Sequence, residues 1–124
     1  MPSRDEHLAQ AAKNRKLAET LAKTEFLDWA VTVYFYVAIH IVESYLAIHG
    51  YHSSNHDQRR DYMNKIPQLR TVIKEYLALE RVSRQARYYA QPITPINLRI
   101  VQENLAAIEA HIAYITTGKK LNTP

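Results

Sequence analysis

Apolar residues recur three and four positions apart along most of the chain, the spacing that gathers side chains onto one face of an α-helix. The clearest run is Leu98, Val101, Leu105, Ile108, Ile112 and Ile115. Thr94 stands where an N-cap would accept backbone N–H groups, and Pro95 falls at the first helical position, where its missing N–H costs nothing. Gly118 supplies a left-handed stop. A second amphipathic helix is predicted from about Pro67 to Ala90, with Leu69, Val72, Ile73, Tyr76, Leu79 and Ala86 on one side and charged residues on the other. Leu8, Ala11, Ala12, Ala18 and Leu21 predict a first, alanine-rich helix running to about Lys23. Ser54, followed three residues later by Asp57, resembles a capping box and opens a short helix to about Ile66, after a connector from Tyr51 to Asn55.

The segment from Phe26 to His49 breaks the amphipathic pattern. With histidine neutral, Trp29 to Val42 carries no charge and is apolar almost all round. Bounded by Asp28 and Glu43, the run falls short of the roughly 20 residues a membrane span needs, so a buried central helix ending at Gly50 is expected and no membrane is. So apolar a helix in so small a chain leaves a face without intramolecular cover, which predicts a homodimer. The order long, long, short, long, long, with short connections, gives an all-α, up-and-down bundle of about five helices. Its ordered core is expected over about residues 5–117, with only Met1 to Ser3 and Lys119 to Pro124 poorly ordered.

Composition narrows this picture. At 124 residues the chain fits one domain and one core. Two glycines and five prolines leave little turn chemistry for many strands. The absence of cysteine excludes disulfides, thiolate catalysis and thiolate metal sites. Arg4, Asp5, Glu6 and His7 interrupt any apolar run near the N-terminus, so no signal peptide and a cytoplasmic location are expected.

Three constellations could carry chemistry. Asp28, Thr32, Tyr36, His40 and Glu43 lie along one stripe of the central helix, as a hydrogen-bonded row or, at His40 and Glu43, as a base and its orienting carboxylate. The row is the expected reading. Three imidazoles, His49, His52 and His56, fall within eight positions of the connector, together with Tyr51, Ser53, Ser54, Asn55 and Asp57. No recognised ligand spacing is present, so loop polarity and helix capping are expected and no metal or other cofactor is. His52, Ser54 and His56 remain candidates to line a ligand pocket. Third, Arg70, Lys74, Arg81, Arg84 and Tyr88 recur near whole turns, with Arg87 beside them. From Arg59 to Ala90 eight basic residues face only Asp61, Glu75 and Glu80, a local excess of five in a chain whose formal net charge is +4. Phosphate contacts require such a concentration, and Tyr88 and Tyr89 can stack on bases.

The strings Asp28-Trp29-Ala30-Val31, Tyr34-Phe35-Tyr36-Val37-Ala38-Ile39-His40, Glu43-Ser44-Tyr45-Leu46-Ala47 and His52-Ser53-Ser54-Asn55-His56 resemble a HEPN domain over roughly Leu8 to Ile115. The resemblance implies a bundle of four to five helices that commonly dimerises and is tied to RNA cleavage, toxin–antitoxin pairs or defence. Catalytic members carry an arginine followed, after four to six residues, by a histidine. None of the nine arginines here has a histidine at that distance, and the corresponding region reads Arg81-Val82-Ser83-Arg84-Gln85-Ala86-Arg87-Tyr88-Tyr89.

The expectation is therefore a non-catalytic HEPN-like dimer that binds RNA, a nucleotide or a partner protein through the Arg70–Tyr88 face or the histidine loop. Arg81, Arg84, Arg87 and Tyr88 are the binding candidates, with His52, Ser54 and His56. The alternatives are a ribonuclease with a rearranged site, in which His40 or His56 joins Arg84 or Arg87, and a structural interaction subunit.

Overall fold

Ser3, Asn55 and Thr94 each accept the backbone N–H three residues on, and the chain turns helical directly after each of them. The computed structural model describes residues 1–118, which form six helices: α1 (Arg4–Ala22), α2 (Leu27–Ile48), α3 (His56–Lys65), α4 (Pro67–Arg70), α5 (Ile73–Tyr88) and α6 (Pro95–Thr117). The described residues contain no strand, and the protein is an all-α bundle. The predicted tail Lys119 to Pro124 lies outside the described residues. Ser3, assigned by the sequence to an irregular end, instead forms a capping box with Glu6.

Helix α2 is the axis of the fold. It packs against α1, α5 and α6, and α5 packs against α6, while α3 packs against α4 and α5. Thirteen of its 22 residues are buried, Val31, Phe35, Val42 and Leu46 among them, and they meet Tyr76 and Leu79 of α5 and Val101, Leu105 and Ile108 of α6 in one core. Ala11 and Ala18 give α1 a small-residue face against this core. By length and composition α2 could cross a membrane, but two thirds of its most apolar stretch is covered by its neighbours. The uncovered stripe runs through Trp29, 58% exposed, and Tyr36, with Val33 and His40 half-buried between and beyond them. Gly50 stops the helix at a φ of 79°, letting the Tyr51 N–H reach Leu46 O and the Gly50 N–H reach Ala47 O, a closure that favours glycine.

Two local expectations are corrected. The helix predicted from Pro67 to Ala90 is two helices, because the chain leaves helical geometry at Val72 (φ −112°, ψ 17°). Thr71 and Val72 are consecutive β-branched residues, which weaken a helix, and the tight turn of the Val72 N–H onto Leu69 O lets Leu69 and Val72 both enter the core. Arg70 consequently belongs to α4 and leaves the basic stripe. The cap of α3 is Asn55 rather than Ser54: Asn55 Oδ1 accepts the Gln58 N–H at 2.7 Å, and Gln58 Oε1 accepts both the Ser54 N–H and the Ser54 hydroxyl.

Candidate functional site

Helix α3 begins with a residue set whose polar groups are divided between the core and the surface. Arg59, 7% exposed, points inward and donates from Nε to Glu43 Oε1 of α2 at 2.8 Å. Its Nη1 lies 2.9 Å from His56 Nδ1 and donates to the Tyr76 hydroxyl at 3.3 Å. Glu43 is itself only 5% exposed, and its second oxygen accepts the Ser53 N–H at 3.4 Å. Two buried charges are tolerable only when paired and hydrogen-bonded in this way.

This pair sets the state of His56. A guanidinium can only donate, so the hydrogen-bond network assigns His56 Nδ1 as acceptor and places the ring proton on Nε2. The imidazole stacks on Phe35, with centroids 5.7 Å apart and planes inclined by 28°. Burial, and then the positive charge of Arg59, hold His56 below the ordinary histidine value; Glu80 opposes them, and Arg87 and Arg60 add to them. At neutral pH it is thus an uncharged ring. Its Nε2 has no partner among the described residues and is not one of their buried unpartnered atoms, so the ring keeps some access to the space beside it.

That space is a cleft of about 480 Å³ between the start of α3 and the end of α5, with His56 and Arg60 on one wall and Glu80, Arg84, Arg87 and Tyr88 on the other. Arg60 is committed to Glu80, at 2.5 Å, and to Asp57. Arg87 donates from Nε to Ser83 O at 3.3 Å, and its guanidinium lies 4.9 Å from the Tyr88 ring centroid, 5.7 Å from that of Phe35 and 6.0 Å from that of Tyr36. Those faces orient the charge without neutralising it. Arg84 is exposed and makes no hydrogen bond or ion pair among the described residues. A second cleft of about 460 Å³, lined by Leu77, Arg81, Gln85 and Tyr89, shares Glu80 and Arg84 with the first.

No family model, no curated protein and no solved structure matches the chain. The HEPN resemblance therefore rests on the residue strings quoted for it.

The cleft joins two groups of residues that are far apart in sequence: His56 of the connector, and Arg84, Arg87 and Tyr88 of the basic stripe. Arg81 lines the adjoining cleft. His52 and Ser54 line neither cleft; His52 Nδ1 is buried without a partner among the described residues, and Ser54 is bonded to Gln58. The polar stripe of α2 does not form the expected row of side chains, because its bonds go to backbone or to other helices. Thr32 donates to Asp28 O, His40 turns to His7 of α1, and Glu43 takes Arg59 rather than orienting His40. Among the described residues no group of three histidines or carboxylates is placed to hold a metal ion. Sequence reasoning missed Arg59, Arg60, Tyr76 and Glu80 as parts of the site. Glu80 alone carried a signal, as an acid inside the basic stretch.

The His7–His40 contact has a consequence of its own. The two Nδ1 atoms are 3.0 Å apart, one donating to the other, which requires at least one neutral ring. Burial holds both residues below their ordinary 6.5. For His7 the opposing Glu43 comes next, then His52, Glu6 and Arg59; for His40, His7 and Arg59 add to burial and Glu43 opposes. The unfolded chain binds protons more readily than the folded one, so the contribution is complete above 6.5 and is lost as pH falls below it. The urea midpoint is expected to drop between about pH 7.5 and about pH 5.5, and to drop less in His40→Gln. A flat or rising midpoint in the unchanged protein would refute the assignment.

Proposed function

We propose that the chain is a non-catalytic, HEPN-like RNA-binding module that grips the backbone of a single strand in the α3–α5 cleft. The observation that carries this reading is that Arg84, Arg87 and His56, whose Nδ1 is taken by Arg59, line one cavity. These groups suit phosphate oxygens, and the exposed rings of Tyr88 and Tyr89 beside them suit bases. The state of His56 favours binding over cleavage. Its Nδ1 lone pair accepts from Arg59 and its Nε2 holds the proton, so no free lone pair remains to act as a base. The doubly protonated ring that would serve as an acid is disfavoured by burial and by Arg59.

One observation favours a second reading. His56 shares the cleft with Arg84 and Arg87, the partnership that a ribonuclease with a rearranged site requires. Incubating RNA with the purified protein separates the two. The binding module returns the strand intact, whereas cleavage that disappears in His56→Ala would make this an enzyme. A protein that neither binds nor cleaves would be left as a structural subunit.

The same reading includes a homodimer formed through the α2 stripe. Trp29 and Tyr36 lie beside Ala86 and Arg87 in a hollow of about 340 Å³, an aromatic surface next to the cleft. Sedimentation should give twice the chain mass for the unchanged protein and the chain mass for Trp29→Glu. A monomer at all concentrations would remove the dimer from the proposal.

A further inference from the structure

Glu80 has no role in holding phosphate, yet it lines both clefts. It is 6% exposed, and one carboxylate oxygen, Oε1, accepts from Arg60 Nη1 at 2.5 Å. The other, Oε2, is buried and has no partner among the described residues. Buried polar atoms are nearly always satisfied, so unpaired ones in the wall of a binding cleft indicate what an occupant must bring.

A carboxylate oxygen can only accept, so the occupant must offer an O–H or N–H. The phosphodiester groups that Arg84 and Arg87 attract have no such donor. Within a nucleic-acid strand the donor closest to every backbone phosphate is the ribose 2′-hydroxyl, which DNA lacks. Arg60 fixes the carboxylate by holding Oε1, which leaves Oε2 as the unpaired acceptor of a cleft-lining residue, reached by a donor once the side chains that cover it shift.

We infer that Glu80 makes the cleft selective for ribose over deoxyribose strands by accepting a hydrogen bond from the 2′-hydroxyl. The inference rests on the RNA-binding reading and goes beyond it by naming the residue that sets the sugar preference. A negative charge in the cleft lowers affinity for every strand, so the discriminating quantity is the ratio of affinities.

The test uses three single-stranded uracil oligomers of equal length, with ribose, deoxyribose or 2′-O-methyl ribose, titrated against the full chain by fluorescence anisotropy. The base is constant, so its own N–H donor cancels. The ribose strand should bind about tenfold tighter than either of the others, the worth of one hydrogen bond to a charged acceptor. In Glu80→Gln the amide can keep its oxygen toward Arg60 and turn its NH₂ toward the sugar, where it donates to a 2′-oxygen with or without a proton, so the ratio of ribose to 2′-O-methyl affinity should fall to about one while overall affinity rises. Equal binding of the ribose and 2′-O-methyl strands by the unchanged protein would overturn the inference and leave the RNA-binding reading intact. A preference for ribose over 2′-O-methyl ribose that persists in a folded Glu80→Gln would overturn it as well. Binding of none of the three strands would remove both. The comparison of strands on the unchanged protein decides the matter even if the variant does not fold.

Discussion

Arg59→Met should lower the free energy of unfolding by about 3–5 kcal/mol, measured by urea denaturation followed by circular dichroism. The substitution leaves Glu43, 5% exposed, as an unpaired charge whose only other bond among the described residues is the 3.4 Å contact from the Ser53 N–H. It also removes the donor shared by His56 and Tyr76. Against a domain stability of about 5–15 kcal/mol, that loss is a large fraction of the whole. The double variant Glu43→Leu/Arg59→Met should recover most of it, because no stranded charge then remains and both side chains are apolar. A loss below about 1 kcal/mol in the single variant would mean that the pair is solvated and does not organise the site. The single variant should also free the His56 ring. With the neighbouring charge gone, His56 should titrate closer to the ordinary histidine value, readable from its ring proton shifts.

Reversing Arg84 and Arg87 together should weaken binding of single-stranded RNA by about 100-fold or more at low salt and reduce the salt slope by about 1.4, near 0.7 for each phosphate no longer neutralised. The same reversal at Lys119 and Lys120, near the end of the chain, should change affinity far less. The two arginines differ in how cleanly they report. Arg84 has no partner among the described residues, so Arg84→Glu alone should leave stability within about 0.5 kcal/mol. Arg87 rests against Phe35, Tyr36 and Tyr88, and its reversal also removes those cation–π interactions. A comparable fall in affinity from the Lys119/Lys120 reversal would discredit the cleft as the binding surface.

Much of the bundle was legible because local signals agreed with packing. The start and stop of α6 were written in Thr94, Pro95 and Gly118, and its spacing named Val101, Leu105, Ile108 and Ile112, all four of which are buried. The break before α5 was not legible. Apolar residues at 69, 72, 73, 76 and 79 fit one continuous helix, and it takes the core to show that Leu69 and Val72 both turn inward around a tight bend.

The site was legible by residue type and not by assembly. His56, Arg84, Arg87 and Tyr88 could each be singled out, but their meeting depends on α3 packing against α5, with the Phe35 ring close to both the His56 ring and the Arg87 guanidinium. The stripe from Asp28 to Glu43 misled for a related reason. Helical spacing reports which residues share a face and says nothing about what lies opposite, and here the partners are His7 of α1 and Arg59 of α3. The local excess of positive charge likewise overstated the free charge, since Arg59, Arg60 and Lys65 are paired with Glu43, Glu80 and Asp57, and Asp61, respectively.

The most direct measurement is an anisotropy titration of labelled single-stranded RNA into the unchanged protein and Arg84→Glu, at low and at moderate salt, with the RNA recovered and sized afterwards. An α3–α5 cleft that binds without cutting gives salt-weakened binding by the unchanged protein, a large loss in the variant and RNA of its original length. No binding at low salt, binding untouched by Arg84→Glu, or shortened RNA that depends on His56 would contradict it.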